Sequence, residues 1–194
     1  VGARFDGATP GGHRVNRPPG GGPLPEAPPP PGVEIRPGRP ADARALRAHI
    51  TAVAAERRYI RMEDDVWTLG QVRRRLRQSW TGDRAELVAV ADDRLIGSLS
   101  IAREPGAITR HVSSLGMSVD RDWRGRGVGS ALLAEAFRWA RWAGVEKVTL
   151  TVYPDNERAR ALYRNFGFAE EGRLTGHSKK SYGYEDEIIM GRWV

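Results

Sequence analysis

Residues 115–133 read LGMSVDRDWRGRGVGSALL, an apolar strand that leads through a turn rich in glycine and arginine into an amphipathic helix. Gly125, Gly127 and Gly129 have no Cβ, so the backbone of the turn can come close to a ligand. The first amides of the following helix have no acceptor within the helix and lie at the positive end of its dipole. The stretch therefore predicts a site for a phosphate or a pyrophosphate.

Two common phosphate-binding motifs do not fit this turn. The Walker motif ends in Gly-Lys-Ser/Thr, but Gly129 is followed directly by Ser130, and the lysines of the chain lie elsewhere. The dinucleotide motif G-x-G-x-x-G fits Gly125 and Gly127 but places Ser130 where its third glycine belongs. The turn therefore calls for a different phosphate motif.

A third motif fits at every position. Residues 124–129, RGRGVG, match Arg/Gln-x-x-Gly-x-Gly/Ala and resemble the acyl-CoA pyrophosphate loop of the GCN5-related N-acetyltransferases, the GNAT family. Residues 156–168, NERARALYRNFGF, are similar to a second block of that family, in which an asparagine, a tyrosine and a Gly-Phe pair recur at fixed spacing. The resemblance covers roughly residues 33–194 and is most specific over residues 111–168.

The composition restricts the class of protein. The 194 residues are 40% hydrophobic, which is enough for one well-buried domain. The net charge of +7 comes from scattered arginines rather than from a basic and aromatic block, so acidic ligands are favoured and nucleic acid is not an expected partner. The sequence has neither an apolar run long enough to span a membrane nor a secretory signal core, so a cytoplasmic location and no membrane partner are expected.

Cysteine and histidine usage narrows the chemistry. The absence of cysteine excludes disulfides, cysteine-ligated metals and a thiol nucleophile, so an acyl transfer cannot pass through a cysteine acyl-enzyme. No metal is expected, because the four histidines show no metal-ligand spacing: His13, His49, His111 and His177.

The N-terminal residues differ in composition from the rest of the chain. PPGGGP at residues 18–23 and PPPPG at residues 28–32 stand among residues that offer almost nothing to bury. We therefore predict a disordered tail over residues 1–32 and an acetyltransferase domain over residues 33–194. A chain that begins at Val33 is expected to keep its stability.

Hydrophobic periodicity predicts a strand at residues 33–36 and two helices after it. Asp42 is placed to cap the first helix, and residues 59–70 form an irregular segment that either lines a pocket or lies at the surface. The apolar stripe of the first helix consists of Ala43, Leu46, Ile50, Val53 and Ala54, and that of the second consists of Val72, Leu76 and Trp80, with Arg73, Arg74, Arg75 and Arg77 facing water.

The rest of the chain alternates between strands and helices. Two β-rich runs flank Asp92 and Asp93 and predict an antiparallel hairpin. The class is therefore α/β (α+β), a mixed sheet covered by about four helices. The predicted strands are 86–91, 95–101, 112–119, 147–153, 168–173 and 187–190, and the predicted helices start after the glycine turn and after Asn156, stopping near Gly144 and at Gly167.

The resemblance implies how acetyl-CoA binds. In the family the sheet is mostly antiparallel, and its fourth and fifth strands splay apart so that the pantetheine arm lies between them. The turn amides hold the pyrophosphate, with Arg124 and Arg126 adding charge-assisted contacts. The contacts implied for acetyl-CoA are Met117, Ser118, Val119, Arg124, Gly125, Arg126, Gly127, Val128, Gly129, Ser130 and Asn156.

Two residues of the second block have a functional and a structural interpretation. Asn156 contacts the pantetheine amide in the family, or it caps the helix that begins there, and both roles can hold together. Tyr163 takes the position of the general acid that protonates the leaving CoA thiolate. The alternative for Tyr163 is an ordinary half-buried tyrosine on an apolar helix face.

The implied reaction is direct attack of an amine on the acetyl thioester in a ternary complex. An alkylammonium has a pKa of about 10.4, so it must lose a proton before it attacks. A backbone amide near Val119 would stabilise the oxyanion. The sequence does not identify the general base, and the candidates are Glu56, Glu63, Asp64, Asp155 and His111.

The expected partner is a small-molecule amine. Residues 183–190, GYEDEIIM, together with SLGM at residues 114–117, resemble a subgroup of the family that acetylates free amino acids and other small amines. Acetylation of a protein N-terminus or lysine, and a non-catalytic acyl-CoA-binding module, are the alternatives. A homodimer is also left open.

Overall fold

A seven-stranded sheet forms the centre of the protein. The computed structural model describes residues 21–61 and 67–194. The strand order is β1-β2-β3-β4-β5-β7-β6, and only β4 and β5 run parallel. The strands are β1 (Val33–Pro37), β2 (Arg84–Ala91), β3 (Arg94–Arg103), β4 (Val112–Val119), β5 (Lys147–Val152), β6 (Ala169–Lys180) and β7 (Gly183–Trp193), and the helices are α1 (Ala43–Ala55), α2 (Leu69–Leu76), α3 (Val128–Trp142) and α4 (Glu157–Asn165).

The parallel pair at the centre of the sheet separates along its length. Residues 112–114 of β4 pair with residues 147–149 of β5, and no pairing between the two strands continues beyond them. The rest of β4 stays bound to β3, and the rest of β5 stays bound to β7. The expected mixed, mostly antiparallel sheet with a splayed central pair is therefore confirmed.

Two hydrophobic layers cover the sheet. The larger one packs α3 and α4 on one face, where Phe137, Trp139 and Phe166 are almost fully buried. The smaller one packs α1 and α2 together through residues such as Leu46 and Leu76. The splay between β4 and β5 therefore opens between two helical layers.

Glycines and aspartates set the turns that the sequence predicted. Asp92 and Asp93 both have positive φ, at 46° and 58°, as a two-residue hairpin of the primed type requires. Gly144, with φ at 68°, follows the C-terminal end of α3. The predicted hairpin and the predicted limits of α3 are confirmed.

Asp42 precedes α1 as predicted but does not cap it with its side chain. Its carboxylate accepts two hydrogen bonds from the Arg36 guanidinium, at 2.7 and 2.9 Å, and one from the Arg39 amide at 2.6 Å. The capping prediction is wrong, because the Arg36 guanidinium on β1 binds the carboxylate oxygens of Asp42 that would cap the helix.

The prediction for α2 is wrong at its end and on one arginine. The helix stops at Leu76, and Trp80 instead forms an isolated bridge with Ala85 at the start of β2. Arg75 does not face water, because it stacks on Trp67, with its guanidinium carbon 4.0 Å from the ring centroid, and pairs with a buried carboxylate.

The last two strands are longer than predicted. In the structure β6 ends at Lys180 and β7 begins at Gly183, whereas the sequence predicted strands only at residues 168–173 and 187–190. Most of β6 is exposed, so its side chains are polar and do not give the hydrophobic alternation by which strands are recognised.

Residues 21–32 run against the domain. Gly21 donates its amide to the Trp193 carbonyl at 3.0 Å, and Arg192 donates to the Gly22 carbonyl. Leu24 and Ala27 are half-buried against the larger core. For residues 21–32 these contacts differ from the expected disordered tail; residues 1–20 lie outside the described residues, and the domain boundaries stay a prediction. Across residues 21–61 and 67–194, no helix is both long and apolar enough to cross a membrane.

Candidate active site

A cleft of about 1290 Å³ passes through the splay and reaches both helical layers. We call its two parts the loop half and the α1 half. The loop half is lined by Met117, Val119, Gly125, Gly127, Gly129, Ser130, Asn156, Leu162 and Tyr163. The α1 half is lined by Leu46, Ile50, Arg61, Trp67, Arg75, Glu86, Ser98, Ser100, Ser114, Ser118, Thr151 and Glu187.

The glycine turn of the loop half presents free backbone amides. Gly125 and Gly127 have φ of 77° and 90°, a conformation that residues with a Cβ rarely adopt. Within α3 the Ala131 amide donates to the Gly127 carbonyl at 3.0 Å, so the amides of residues 128–130 precede the helical hydrogen-bond ladder. They can bind an anion at the positive end of the helix dipole.

Gly129 brings α3 close to its neighbours. A Cβ at this position would lie 3.1 Å from Cδ2 of Leu162 on α4 and 3.4 Å from Cε of Met117 on β4. A larger residue would therefore require the side chains of Leu162 and Met117 to move. The glycine keeps the anion-binding turn beside the gap between β4 and β5.

The inner edge of β4 is open at its end. The Asp120 amide donates to the Ile96 carbonyl at 2.8 Å, so the residue after β4 still bonds toward β3. Because successive residues of a strand point their amides to opposite sides, the Val119 amide points into the gap. The Val119 carbonyl, on the same side, accepts from Nε of Arg124 at 2.9 Å.

Arg124 is held inside the protein rather than at the turn surface. Its guanidinium forms a two-pronged ion pair with the carboxylate of Glu56, with one bond of 2.8 Å, and its carbon lies 4.5 Å from the centroid of the Tyr59 ring. This geometry differs from the expected phosphate contact of its side chain. Of the two arginines assigned to phosphate, only Arg126 is exposed at the turn.

Two assigned residues do not line the cleft. Arg126 stacks over Trp123, with its guanidinium carbon 5.4 Å from the ring centroid, and the Val128 side chain is buried in the larger core. Only the backbone of Val128 is placed to contact an anion. The other assigned residues lie along one cleft, although their contacts with acetyl-CoA stay predictions.

Tyr163 and Asn156 close the loop half from α4. Tyr163 is buried, packs edge-on against Phe168 with ring centroids 5.7 Å apart, and still lines the cleft. Burial raises the pKa of Tyr163 to about 12, so its phenol carries a proton at neutral pH. The Asn156 side chain accepts from the Ala159 amide at 3.2 Å, which is the capping role, and its amide nitrogen remains for a second contact.

An ion pair lies in the α1 half. Nε of Arg75 donates to Oε1 of Glu86 at 2.9 Å, and Nη2 donates to the Ser100 hydroxyl at 2.9 Å. Burial raises the pKa of Glu86, and the charge of Arg75 opposes that rise. The pair fixes a cation beside the cleft.

A second carboxylate faces the cleft from β7. Glu187 is buried and accepts from Nε of Arg61 at 3.0 Å and from the Ser178 hydroxyl. Arg61 also donates to the Thr151 hydroxyl at 2.7 Å. Because Arg61 is about half exposed, its guanidinium remains accessible from the cleft.

His49 is a site residue that the sequence prediction missed. It is buried beneath the cleft, with Nδ1 2.6 Å from Oδ1 of Asp120 and Nε2 2.8 Å from Oγ of Ser118. The missed signal is its position in α1, three residues after Leu46 and one before Ile50, which places it on the buried apolar stripe. A histidine there needs polar partners from another element.

The five candidates for the general base differ in their positions and in their partners. Arg124 holds the pKa of Glu56 below its usual range, which weakens it as a base. Asp155 lies at the rim of the cleft and pairs with Arg58 at 3.4 Å, whereas His111 stacks with Trp193, with ring centroids 6.3 Å apart, away from the cleft lining. The remaining two candidates, Glu63 and Asp64, lie outside the described residues.

In the described part of the chain, no His, Asp and Glu side chains are grouped in a way that could hold a metal ion. The expectation that the protein uses no metal stays a prediction.

A family model described as the acetyltransferase (GNAT) family matches residues 46–168, which contain the turn, the splay and α4. The chain belongs to the GNAT family. The match extends over more than half of the chain and includes both motifs on which the resemblance was based.

Individual relatives give the same family. The GNAT chain is 34% identical over 108 residues to the L-amino acid N-acetyltransferase AaaT of Escherichia coli, covering 55% of this chain and 67% of the relative. It is 33% identical over 155 residues to a mycothiol acetyltransferase of Brachybacterium faecium, covering 79% of this chain but only 46% of that relative. The chain thus spans less than half the length of the mycothiol enzyme.

A solved structure confirms the fold. The GNAT acetyltransferase from Streptococcus pneumoniae superposes with a TM-score of 0.78 and 26% identity, covering 84% of this chain and 99% of that one. The α/β class and the mostly antiparallel mixed sheet are therefore those of the family fold.

Proposed function

We propose that the protein transfers the acetyl group of acetyl-CoA to the primary amine of a free amino acid or a similar small molecule. The observation that carries this proposal is one continuous cleft, which joins an anion-binding turn to a charged pocket through the gap between β4 and β5. Acetyl-CoA would enter from the loop half, and the amine from the α1 half. The two reactants would meet at the end of β4.

The loop half fits the parts of acetyl-CoA in order. The amides of residues 128–130 would bind the pyrophosphate, and the open edge of β4 would bond the pantetheine arm. The Val119 amide, which points into the gap, would stabilise the oxyanion formed on the acetyl carbonyl. The thioester would then lie beside Tyr163.

Tyr163 would act as the general acid. When the amine nitrogen attacks the acetyl carbon and the C–S bond breaks, the thiolate of CoA needs a proton. A phenol with a pKa of about 12 holds its proton at neutral pH and can donate it to a thiolate that forms in contact with it.

The charges of the α1 half favour a small zwitterionic acceptor. Arginines and carboxylates are equal in number along the lining of the α1 half, but both carboxylates are buried, whereas Arg61 presents a partly exposed guanidinium there. An amino acid would offer its carboxylate to such a cation and its amine to the gap. The name of the E. coli relative, an L-amino acid N-acetyltransferase, supports the same class of acceptor.

The test is release of free CoA thiol from acetyl-CoA over a panel of amines. The panel contains free amino acids, small amines without a carboxylate, and peptides with a free N-terminus, each paired with its N-acetylated form as a control. Turnover is expected with amino acids and absent with the acetylated controls. Turnover only with peptides would indicate a protein acetyltransferase, and acetyl-CoA binding without turnover on any amine would indicate a binding module.

A further inference from the structure

Three polar side chains form a line of hydrogen bonds that runs from the cleft through a buried histidine to a carboxylate that is 23% exposed. Ser118 lines the α1 half, His49 lies behind it with 1% of its side chain exposed, and Asp120 lies behind His49. The three residues come from α1 and from the end of β4. None of the three residues belongs to either family motif, residues 124–129 or residues 156–168.

The direction of the protons follows from the donors available. A carboxylate only accepts, so the short contact of 2.6 Å places a proton on Nδ1 of His49. Nε2 then carries a lone pair and accepts from the Ser118 hydroxyl at 2.8 Å. The Ser98 hydroxyl, 3.1 Å from that of Ser118, donates to it. This serine-histidine-aspartate order gives the serine oxygen a path along which its proton can leave.

The Ser118 hydroxyl is placed where the amine would arrive. Side chains alternate along β4, so Ser118 points to the α1 half, whereas Met117 and Val119 point to the other face. The Val119 amide, one residue further, points into the gap. Ser118 is therefore next to the position at which the acceptor nitrogen would meet the acetyl carbon.

We propose that Ser118 takes the proton of the attacking amine and passes its own proton to His49. The inference rests on the proposed function, because it supplies the base that the acetyl transfer needs. His49 acts through Ser118, and Asp120 is a positioning residue that keeps the imidazole in the accepting tautomer.

The step balances as follows. The acceptor enters as the neutral amine, after its ammonium form has given one proton to water. The amine nitrogen then forms the C–N bond and loses a second proton to Oγ of Ser118, while the Ser118 hydroxyl proton moves to Nε2 of His49. The C–S bond breaks, and the thiolate takes a proton from Tyr163. The imidazolium, stabilised by Asp120, returns its proton to solvent after the products leave, and the Tyr163 phenolate regains one. No covalent bond to the protein forms.

The surroundings keep His49 neutral and ready to accept. Burial lowers the pKa of His49 from its ordinary value of about 6.5, and the carboxylate of Asp120 opposes that shift. Arg124 also disfavours the charged imidazole, although its own charge is paired with Glu56. Protonated His49 cannot accept a proton, so turnover should fall as the pH drops through its pKa, below about 6.5.

The experiment measures kcat, the KM for acetyl-CoA, melting temperature and the pH profile of kcat in three variants. His49→Gln keeps hydrogen-bonding groups but cannot titrate, and it should lower kcat by roughly 10²- to 10⁴-fold, with little change in the acetyl-CoA KM, and remove the acidic limb of the profile. Ser118→Ala should lower kcat to a similar extent. Asp120→Asn should lower kcat and move the acidic limb to lower pH, because the charge that raises the pKa of His49 is gone.

Ser113→Ala is the matched control. It makes the same change on the same strand, at a buried hydroxyl that has no hydrogen-bond partner among the described residues and does not line the cleft, so kcat should stay within about twofold. If His49→Gln fails to fold, Ser118→Ala and Asp120→Asn carry the test.

Two outcomes would overturn the relay. One is full kcat in folded Ser118→Ala with an unchanged acidic limb. The other is an acetyl adduct on Ser118 in the intact mass of the protein mixed with acetyl-CoA, which would make the serine a nucleophile. Failure of the parent protein to release thiol with any amine would instead overturn the proposed function, so the two failures are distinguishable.

Discussion

The two halves of the cleft are built in different ways. The loop half consists mainly of backbone: amides at the start of α3, the open edge of β4, and glycines that let these elements approach one another. The α1 half consists of side chains that pair across long sequence distances, as Arg61 does with Glu187 and His49 with Asp120. A backbone site tolerates many side chains, whereas a side-chain site depends on each of its members. Changes in the loop half should therefore alter acetyl-CoA binding, and changes in the α1 half should alter stability or acceptor turnover.

The largest effect is expected at Tyr163, a side chain of the loop half that would act on the leaving thiolate rather than on the binding of acetyl-CoA. Tyr163→Phe removes only the hydroxyl, so kcat should fall by roughly 10²- to 10⁴-fold while the acetyl-CoA KM changes little. A structural tyrosine would instead lose about 1 kcal/mol of stability and keep its turnover. Steady-state kinetics and a melting curve on one preparation separate the two, with exposed Tyr184→Phe as the control.

Arg75→Ala should produce the next largest effect, and on stability rather than on acetyl-CoA binding. It leaves the buried Glu86 carboxylate without its cation, which should cost about 3 kcal/mol in unfolding free energy. Without Arg75, burial raises the pKa of Glu86 in the folded protein above its value in the unfolded chain, about 4.3. The loss of stability is therefore small at a pH below the unfolded-state pKa and grows as the pH rises through the folded-state pKa. Urea unfolding at pH 4 and pH 7 measures it.

Arg74→Ala is the control for this pair, because Arg74 is exposed on the same helix and should change stability by no more than about 0.5 kcal/mol. Equal losses in the two variants would contradict the distinction between a paired and a solvated arginine.

Gly127→Val tests the backbone site. A valine at φ of 90° is strained by about 1 to 3 kcal/mol, and its side chain would be directed at Pro30, whose Cγ lies 3.5 Å from the new Cβ. Distortion of the turn should weaken acetyl-CoA binding tenfold or more. Gly144→Val is the control, because it carries the same kind of strain, at φ of 68°, at the far end of α3. Calorimetry that finds equal acetyl-CoA affinities in both variants would remove the turn from the binding site.

The smallest effect is expected from the N-terminal segment. A chain that begins at Val33 loses the half-buried Leu24 and Ala27 and the hydrogen bonds of Gly21 and Gly22, so its melting temperature should fall by a few degrees, for a loss of about 1 to 2 kcal/mol. A chain that begins at Gly21 is the reference, so that the comparison concerns residues 21–32 alone. Equal melting of both shortened chains would restore the prediction made from composition alone.

The difference between the halves also explains what the sequence could predict. The turn, the end of β4 and the start of α3 lie within residues 115–133, so a local motif contains the whole arrangement. His49 meets Asp120 only after α1 packs on the sheet, and no spacing in the sequence indicates that contact. Composition does not indicate the contacts of residues 21–32 for a related reason: proline and glycine bury little by themselves, but they can lie on a surface that other residues provide.

The splay of β4 and β5 has a consequence for handling the protein. Where the strands part, the sheet has an internal pair of edges, and the Val119 amide is one unpaired donor on them. Unpaired strand edges are templates for association with other chains. We therefore expect the ligand-free protein to aggregate through the open edges at the centre of its sheet. Acetyl-CoA bonded along β4 would fill that gap as a missing strand would, and storage with the cosubstrate should keep concentrated protein in solution.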